Sequence, residues 1–185
     1  QVHGNLTRYI RKMTLGKGAL SYDNAISDTD ALITDKKNVP LSIFTADCLS
    51  VFLYAPKTPS IGLVHAGWRS SKENITAKAA QLMQEKFNAK VEDLYAGFGP
   101  AIRDCCFEVG GVFTDFFEPE YLIKRDARYY LDLVGINKKQ LLAQGVKDKN
   151  IFDSKICTSC RNEEFFSYRK EGIGCGRMMS VMMLQ

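Results

Sequence analysis

Three short apolar runs stand close together, at 41–44 (LSIF), 50–54 (SVFLY) and 61–65 (IGLVH), and an amphipathic segment follows them. Runs of this length, rich in β-branched and aromatic residues and bounded by turn formers, read as strands. The APKTPS segment at 55–60 turns between the last two and is short enough for a hairpin. Beyond them, Ser70 or Ser71 is placed to cap a helix, and Glu73 falls in its first turn, where negative charge is favoured. Ile75, Ala79, Leu82, Met83 and Phe87 then recur at helical spacing. Residues 62–70, GLVHAGWRS, therefore read as a strand, a tight turn and a helix start. A further strand is expected at 94–98, broken by Gly99 and Pro100. A helix is expected over 131–144, ended by Gly145, with strands at 165–168 (FFSY) and 177–184 (RMMSVMML). Strands with helices between and after them predict an α+β fold of mixed layers. No linker divides the chain, so residues 1–185 read as one domain.

Hydrophobic residues make up 45% and charged residues 25%, the balance of a globular domain rather than a disordered or fibrous one. The net charge of +4 arises from basic residues interspersed with acids. That is the pattern of a solvated surface and not of a nucleic-acid-binding face. No apolar run is long enough for a transmembrane helix, so no membrane partner is expected. The six cysteines read as reduced thiols or metal ligands in a cytoplasmic setting rather than as a disulfide framework.

The chain has only two histidines. His65 ends a predicted strand. Cys48 precedes another, and the intervening strand, turn and strand would bring both to one end of a sheet. With His3 they form an N,S,N donor set suited to zinc or to copper, with a fourth position open as in catalytic zinc sites. Read alone, a cysteine and a histidine at this spacing are more often unrelated core residues. Asp47 is placed to orient a ligand, and Arg69, near a helix start, to clamp an anion. Trp68 reads as core. His3 requires that the N-terminal stretch be docked, since a ligand on a free tail is poorly held.

QVHG, DALIT (30–34), TADC (45–48), HAGWR (65–69), GPAIRDCCFEVG (99–110), and CT (157–158) followed by FFSYRK (165–170) occur in that order. They resemble the motifs of the YfiH-like family, also called laccase-domain or polyphenol-oxidase-like, across nearly the whole chain. The resemblance implies an α/β/β/α sandwich with mixed sheets, related to cytotoxic-necrotizing-factor-like toxins and deamidases. It implies zinc held by His3, Cys48 and His65. It also implies purine nucleoside and phosphate as substrates, through phosphorolysis of adenosine, inosine and methylthioadenosine and through deamination of adenosine. Peptidoglycan-precursor editing is a further activity linked to bacterial members. Family members carry a segment before the QxH motif, which residues 1–185 are expected to lack. Ser70 and Ser50 stand where the family has glycine and proline, and local backbone shifts are expected there.

For such chemistry the expected catalytic residues are Cys48, His65 and Asp47, with Arg69 and Arg169 as phosphate ligands. A copper-dependent polyphenol oxidase is the alternative, with Met13, Met83 or a C-terminal methionine as axial ligand. Two histidines are few for a multicopper enzyme. A metal-free reading makes Cys48 the nucleophile and His65 its base. A zinc-binding regulatory domain is the non-enzymatic reading. Cys157 and Cys160 form a CxxC that lacks a second CxxC, and Cys105-Cys106 does not have that spacing. These cysteines read as incidental thiols, with Cys105 and Cys106 as candidate pocket residues and Glu108 as a polar pocket group.

Overall fold

Strand β5 (Ser60–Ala66) is buried along its entire length, which is why it reads as a near-continuous apolar run. Alternation sends Val64 and Ala66 to one face and Ile61, Leu63 and His65 to the other. The computed structural model describes residues 1–11 and 14–185. Around β5 stands a six-stranded sheet ordered β1 (Thr7–Tyr9), β2 (Ala31–Thr34), β5, β4 (Leu49–Ala55), β6 (Tyr95–Phe98) and β10 (Ile151–Asp153). β1–β2 and β6–β10 pair in parallel, and the inner pairs are antiparallel. The β4–β5 hairpin is the one expected around the APKTPS turn.

Helices α2 (Ile75–Phe87) and α3 (Leu133–Gln144) cover one face. Val51, Leu53, Val64, Ile75, Ala79, Met83 and Leu141 close the main core there. On the other face lies a two-stranded sheet of β3 (Leu41–Thr45) and β11 (Met178–Met182). Leu41 and Ile43 pack on Ile61 and Leu63 in a second core. β7 (Glu108–Val109), β9 (Arg128–Leu131) and β8 (Leu122–Arg125) form a third sheet over an aromatic cluster. This is the mixed-sheet α+β layering expected. The outward side chains Phe44, Met179 and Val181 of the small sheet are exposed. Among the described residues no helix is long and apolar enough to cross a membrane.

Two local expectations are corrected. The helix after HAGWR is two helices, α1 (Trp68–Lys72) and α2, separated at Asn74 in a left-handed conformation (φ 60°), which asparagine tolerates. Ser70 and Ser71 lie inside α1 and do not cap it. The buried Ser70 hydroxyl turns back to accept from the Gly67 N–H and to donate to the His65 and Gly67 carbonyls, closing the turn. The FFSY stretch is not a strand. The Ser167 hydroxyl is drawn to Asp47 and its N–H to Glu171, so the chain turns into the short helix α4 (Tyr168–Glu171). The expected helix near 131–144 starts at Leu133, capped by Asp132, whose carboxylate accepts from the Gly135 N–H; it ends at Gly145, with φ at 100°. Ser50 is buried on β4 and bonds to Ser180 of β11, linking the two sheets.

Candidate active site

Strand register builds the site. In the β4–β5 hairpin Leu49 faces Ala66, so Cys48, one step before β4, comes opposite Gly67, one step past β5. In the β2–β5 pair Ala31 faces Val64, so Asp30 comes opposite His65. The Asp30 carboxylate bonds His65 Nδ1 at 2.7 Å, and the Asp30 carbonyl accepts the His65 N–H, also at 2.7 Å. The same carboxylate accepts the N–H groups of Val2, His3 and Gly4 at 2.8–3.2 Å. Gln1 adds a two-way amide pairing with the backbone of Phe44. The QVHG stretch is therefore docked, and His3, at φ 57°, is carried to the end of β5.

His3, Cys48 and His65 offer ligand atoms that all lie within 4.8 Å of one another. The His3 Nε2 to Cys48 Sγ separation is 3.7 Å. A tetrahedral zinc ion, with Zn–S about 2.3 Å and Zn–N about 2.0–2.1 Å, sets nitrogen and sulfur about 3.6 Å apart. Asp30 occupies His65 Nδ1, leaving Nε2 as the remaining donor, the arrangement by which a carboxylate fixes a ligating imidazole. A Cβ added at Gly67 would stand 2.8 Å from His3 Cδ2 and 3.1 Å from Cys48 Sγ. Only glycine leaves both donors in place. The residues thus fit a divalent ion with one open position.

The electrostatics ask for a cation. Burial, reinforced by negative charge on Asp47 and Asp30, pushes the Cys48 thiol up to about 12. Burial and then the neighbouring His65 lower the pKa of His3, which favours a neutral imidazole. At Asp30 burial acts to raise the pKa, but hydrogen bonds from His65, Gly4 and Val2 outweigh it and hold the carboxyl at about 2.

The expected roles fall out unevenly. Asp47 does not orient His65; Asp30 does. Asp47, at φ 82°, sends its carboxylate to the 158–169 segment, where it accepts from the Thr158 and Ser167 hydroxyls at 2.7 Å and the Arg169 N–H at 2.6 Å. Arg69 and Arg169 both line a cleft of about 690 Å³ above the donors. The Arg69 guanidinium lies over the Trp68 ring at 4.3 Å, and Trp68 also packs on Phe113, so it serves both core and cleft. Arg169 donates to the Glu108 carbonyl at 2.9 Å. The Glu108 side chain is not a cleft group; it pairs with Arg128. Cys105 and Cys106 do not line the cleft either and instead meet Cys157 and Cys160. Met83 packs its sulfur toward Gly62 on the helix side of β5, opposite His65, and cannot be an axial ligand. Met13 lies outside the described residues.

Sequence reasoning missed three contributors: Asp30, Arg177, and the aromatic wall of Phe107 and Tyr168. Asp30 carries a readable signal, an acid immediately before a buried strand in DALIT. Arg177 had none.

Two outcomes follow from this geometry. Gly67→Ala should weaken zinc binding roughly 10–100-fold in competition with a chromophoric chelator; affinity within about twofold of the parent would show that the donors do not converge there. Asp30, held at about 2 against a free value of 3.8, has a depressed pKa. Its contribution to stability is therefore complete above the free value and lost as pH falls through the folded one. Urea unfolding should show this loss between pH 3.8 and about 2, and Asp30→Asn should remove that dependence. An identical acid limb in the variant would contradict the assignment.

Residues 1–185 match the family model described as multi-copper polyphenol oxidoreductase laccase. The chain is 35% identical over 190 residues to purine nucleoside phosphorylase YlmD of Geobacillus stearothermophilus, covering 98% of this chain and 69% of that protein. It is 32% identical over 161 residues to adenosine deaminase RL5 of an unknown prokaryotic organism, covering 83% and 61% respectively. The solved structure of Bacillus licheniformis hypothetical protein YfiH matches with a TM-score of 0.95 at 30% identity, over 100% of this chain and 72% of that one. With its full length matched and this fold shared, the chain belongs to the YfiH-like, laccase-domain family.

Proposed function

We propose that the cleft is the site of a zinc-dependent purine nucleoside enzyme that splits adenosine, inosine and methylthioadenosine with phosphate, and that also deaminates adenosine. One observation carries this reading. A His3–Cys48–His65 donor set meets three arginines, Arg69, Arg169 and Arg177, in one cleft. Among the described residues the only carboxylate lining it, Asp47, already accepts three hydrogen bonds. Such a cleft suits an anion beside a Lewis acid. The phosphorylase and deaminase names of the relatives agree with it.

When bound, zinc supplies Lewis acidity that polarises a substrate oxygen or acidifies a water. The chain's residues do the rest. Asp30 fixes the His65 tautomer and so its free donor. Arg69, with no ion-pair partner among the described residues, is available to phosphate. Arg169 is held by its backbone to Asp47 and by its guanidinium to Glu108, so little freedom is lost when it meets an anion. Phe107 and Tyr168 line the same cleft and supply aromatic surface for a purine.

Deamination needs a group that moves a proton to the purine, and of the nearby carboxylates Asp30 already accepts four hydrogen bonds and Asp47 three. This ranks phosphorolysis first. The metal-free reading is disfavoured because a thiol raised to about 12 is a poor nucleophile at neutral pH. The multicopper reading asks for more histidines than the two present, both of which already sit in one site.

The test is turnover of a nucleoside panel with and without phosphate. The zinc-loaded chain should release base and sugar phosphate only when phosphate is present, and Cys48→Ala should abolish this. Arg69→Ala should raise KM for phosphate roughly tenfold or more, with a smaller change for nucleoside. Base release that ignores phosphate, or that survives in Cys48→Ala, would overturn the reading.

A further inference from the structure

Four of the five cysteines outside the cleft are not scattered. Cys105 and Cys106 lie in the turn that follows β6, and Cys157 and Cys160 in the turn that follows β10. β6 and β10 are parallel neighbours, with Asp153 beside Phe98, so their trailing ends run side by side. An isolated bridge between Ala101 and Cys157 continues the pairing, and the Thr158 N–H donates to the Ala101 carbonyl at 3.1 Å. All four sulfurs lie within 4.8 Å of one another. Cys160 Sγ is 3.6 Å from Cys105 Sγ and 3.4 Å from Cys106 Sγ.

We propose that Cys105, Cys106, Cys157 and Cys160 form a second metal site, a four-thiolate structural site for zinc, separate from the cleft. A regular tetrahedron with Zn–S of about 2.3 Å has edges of about 3.8 Å, close to the separations found. The set takes one ion and not a multi-iron cluster, whose own atoms would hold the thiolates further apart. Four thiolates with no open position are the mark of a structural centre. On loading, four thiol protons pass to solvent as four sulfur–metal bonds form.

The site staples 101–107 to the segment beginning at Cys157. Thr158, Ser167 and Arg169 of that segment hold the Asp47 carboxylate beside Cys48. The ion would thereby fix the strap that carries Arg169 into the cleft. This consequence rests on the reading of the cleft; the metal site does not.

The two sites separate experimentally in the full chain with Cys48→Ala, which lacks the cleft's sulfur donor. Purified in reductant, loaded with zinc and desalted, the parent should retain about two equivalents and Cys48→Ala about one. In Cys48→Ala the cobalt-substituted form should show intense thiolate-to-metal charge transfer and tetrahedral d–d bands, and adding Cys160→Ser should abolish both. A thiol reagent should react slowly with Cys105, Cys106, Cys157 and Cys160 in the zinc form, and fast after chelation, which needs no cysteine substitution in the cluster. One equivalent in both parent and Cys48→Ala would support this site and remove the cleft's. No retained metal in Cys48→Ala, or four thiols that react alike with and without zinc, would overturn the proposal. So would recovery of the four as disulfides from reductant.

Discussion

The Asp30 carboxylate is the hinge of the site. One oxygen is 2.7 Å from His65 Nδ1, and the two together accept three successive N–H groups of the N-terminal stretch. Without it, His3 has no fixed place and His65 no fixed tautomer. The cost of burying this charge is offset by four hydrogen bonds, which is the condition under which a buried carboxylate stays ionised. Because Asp30 lies one step before β2 and His65 on β5, the pairing of these two strands decides whether the site exists at all.

A second constraint is charge balance. Two carboxylates and a thiol stand close to the two imidazoles. The thiol responds by holding its proton, up to about 12. A divalent cation reverses that preference, since a coordinated thiolate is deprotonated outright. The arginines of the cleft stand further out, with Arg69 and Arg169 both exposed. The interior is thus arranged for a cation and the rim for an anion, and a substrate that brings phosphate to an electrophilic carbon meets both.

How much of this could be read from the residues depended on the distance between partners along the chain. The hairpin through APKTPS was legible, and with it the approach of Cys48 to His65, because both lie on one local β unit. His65 also continues the Ile61, Leu63 row of β5, so its face was fixed by alternation. Asp30 was harder, since its opposition to His65 comes from pairing with a distant strand. Asp47 was misread because adjacency to Cys48 in sequence says nothing of direction, and its left-handed backbone turns the side chain to another segment. The break at Asn74 and the turn at Ser167 both come from side chains that bond backbone or a distant acid, which apolar periodicity does not record. The convergence of Cys105-Cys106 with the CxxC depends on the parallel β6–β10 pairing, a contact without a local signature.

The central claim is that three side chains far apart in sequence hold one divalent ion at the floor of the cleft. Anomalous diffraction at the zinc edge, from crystals of the zinc-loaded chain, tests it most directly. The account predicts a peak bonded to His3 Nε2, Cys48 Sγ and His65 Nε2 at about 2.0–2.3 Å, with a fourth position facing the cleft. An enzymatically active crystal with no peak among those three atoms would contradict it.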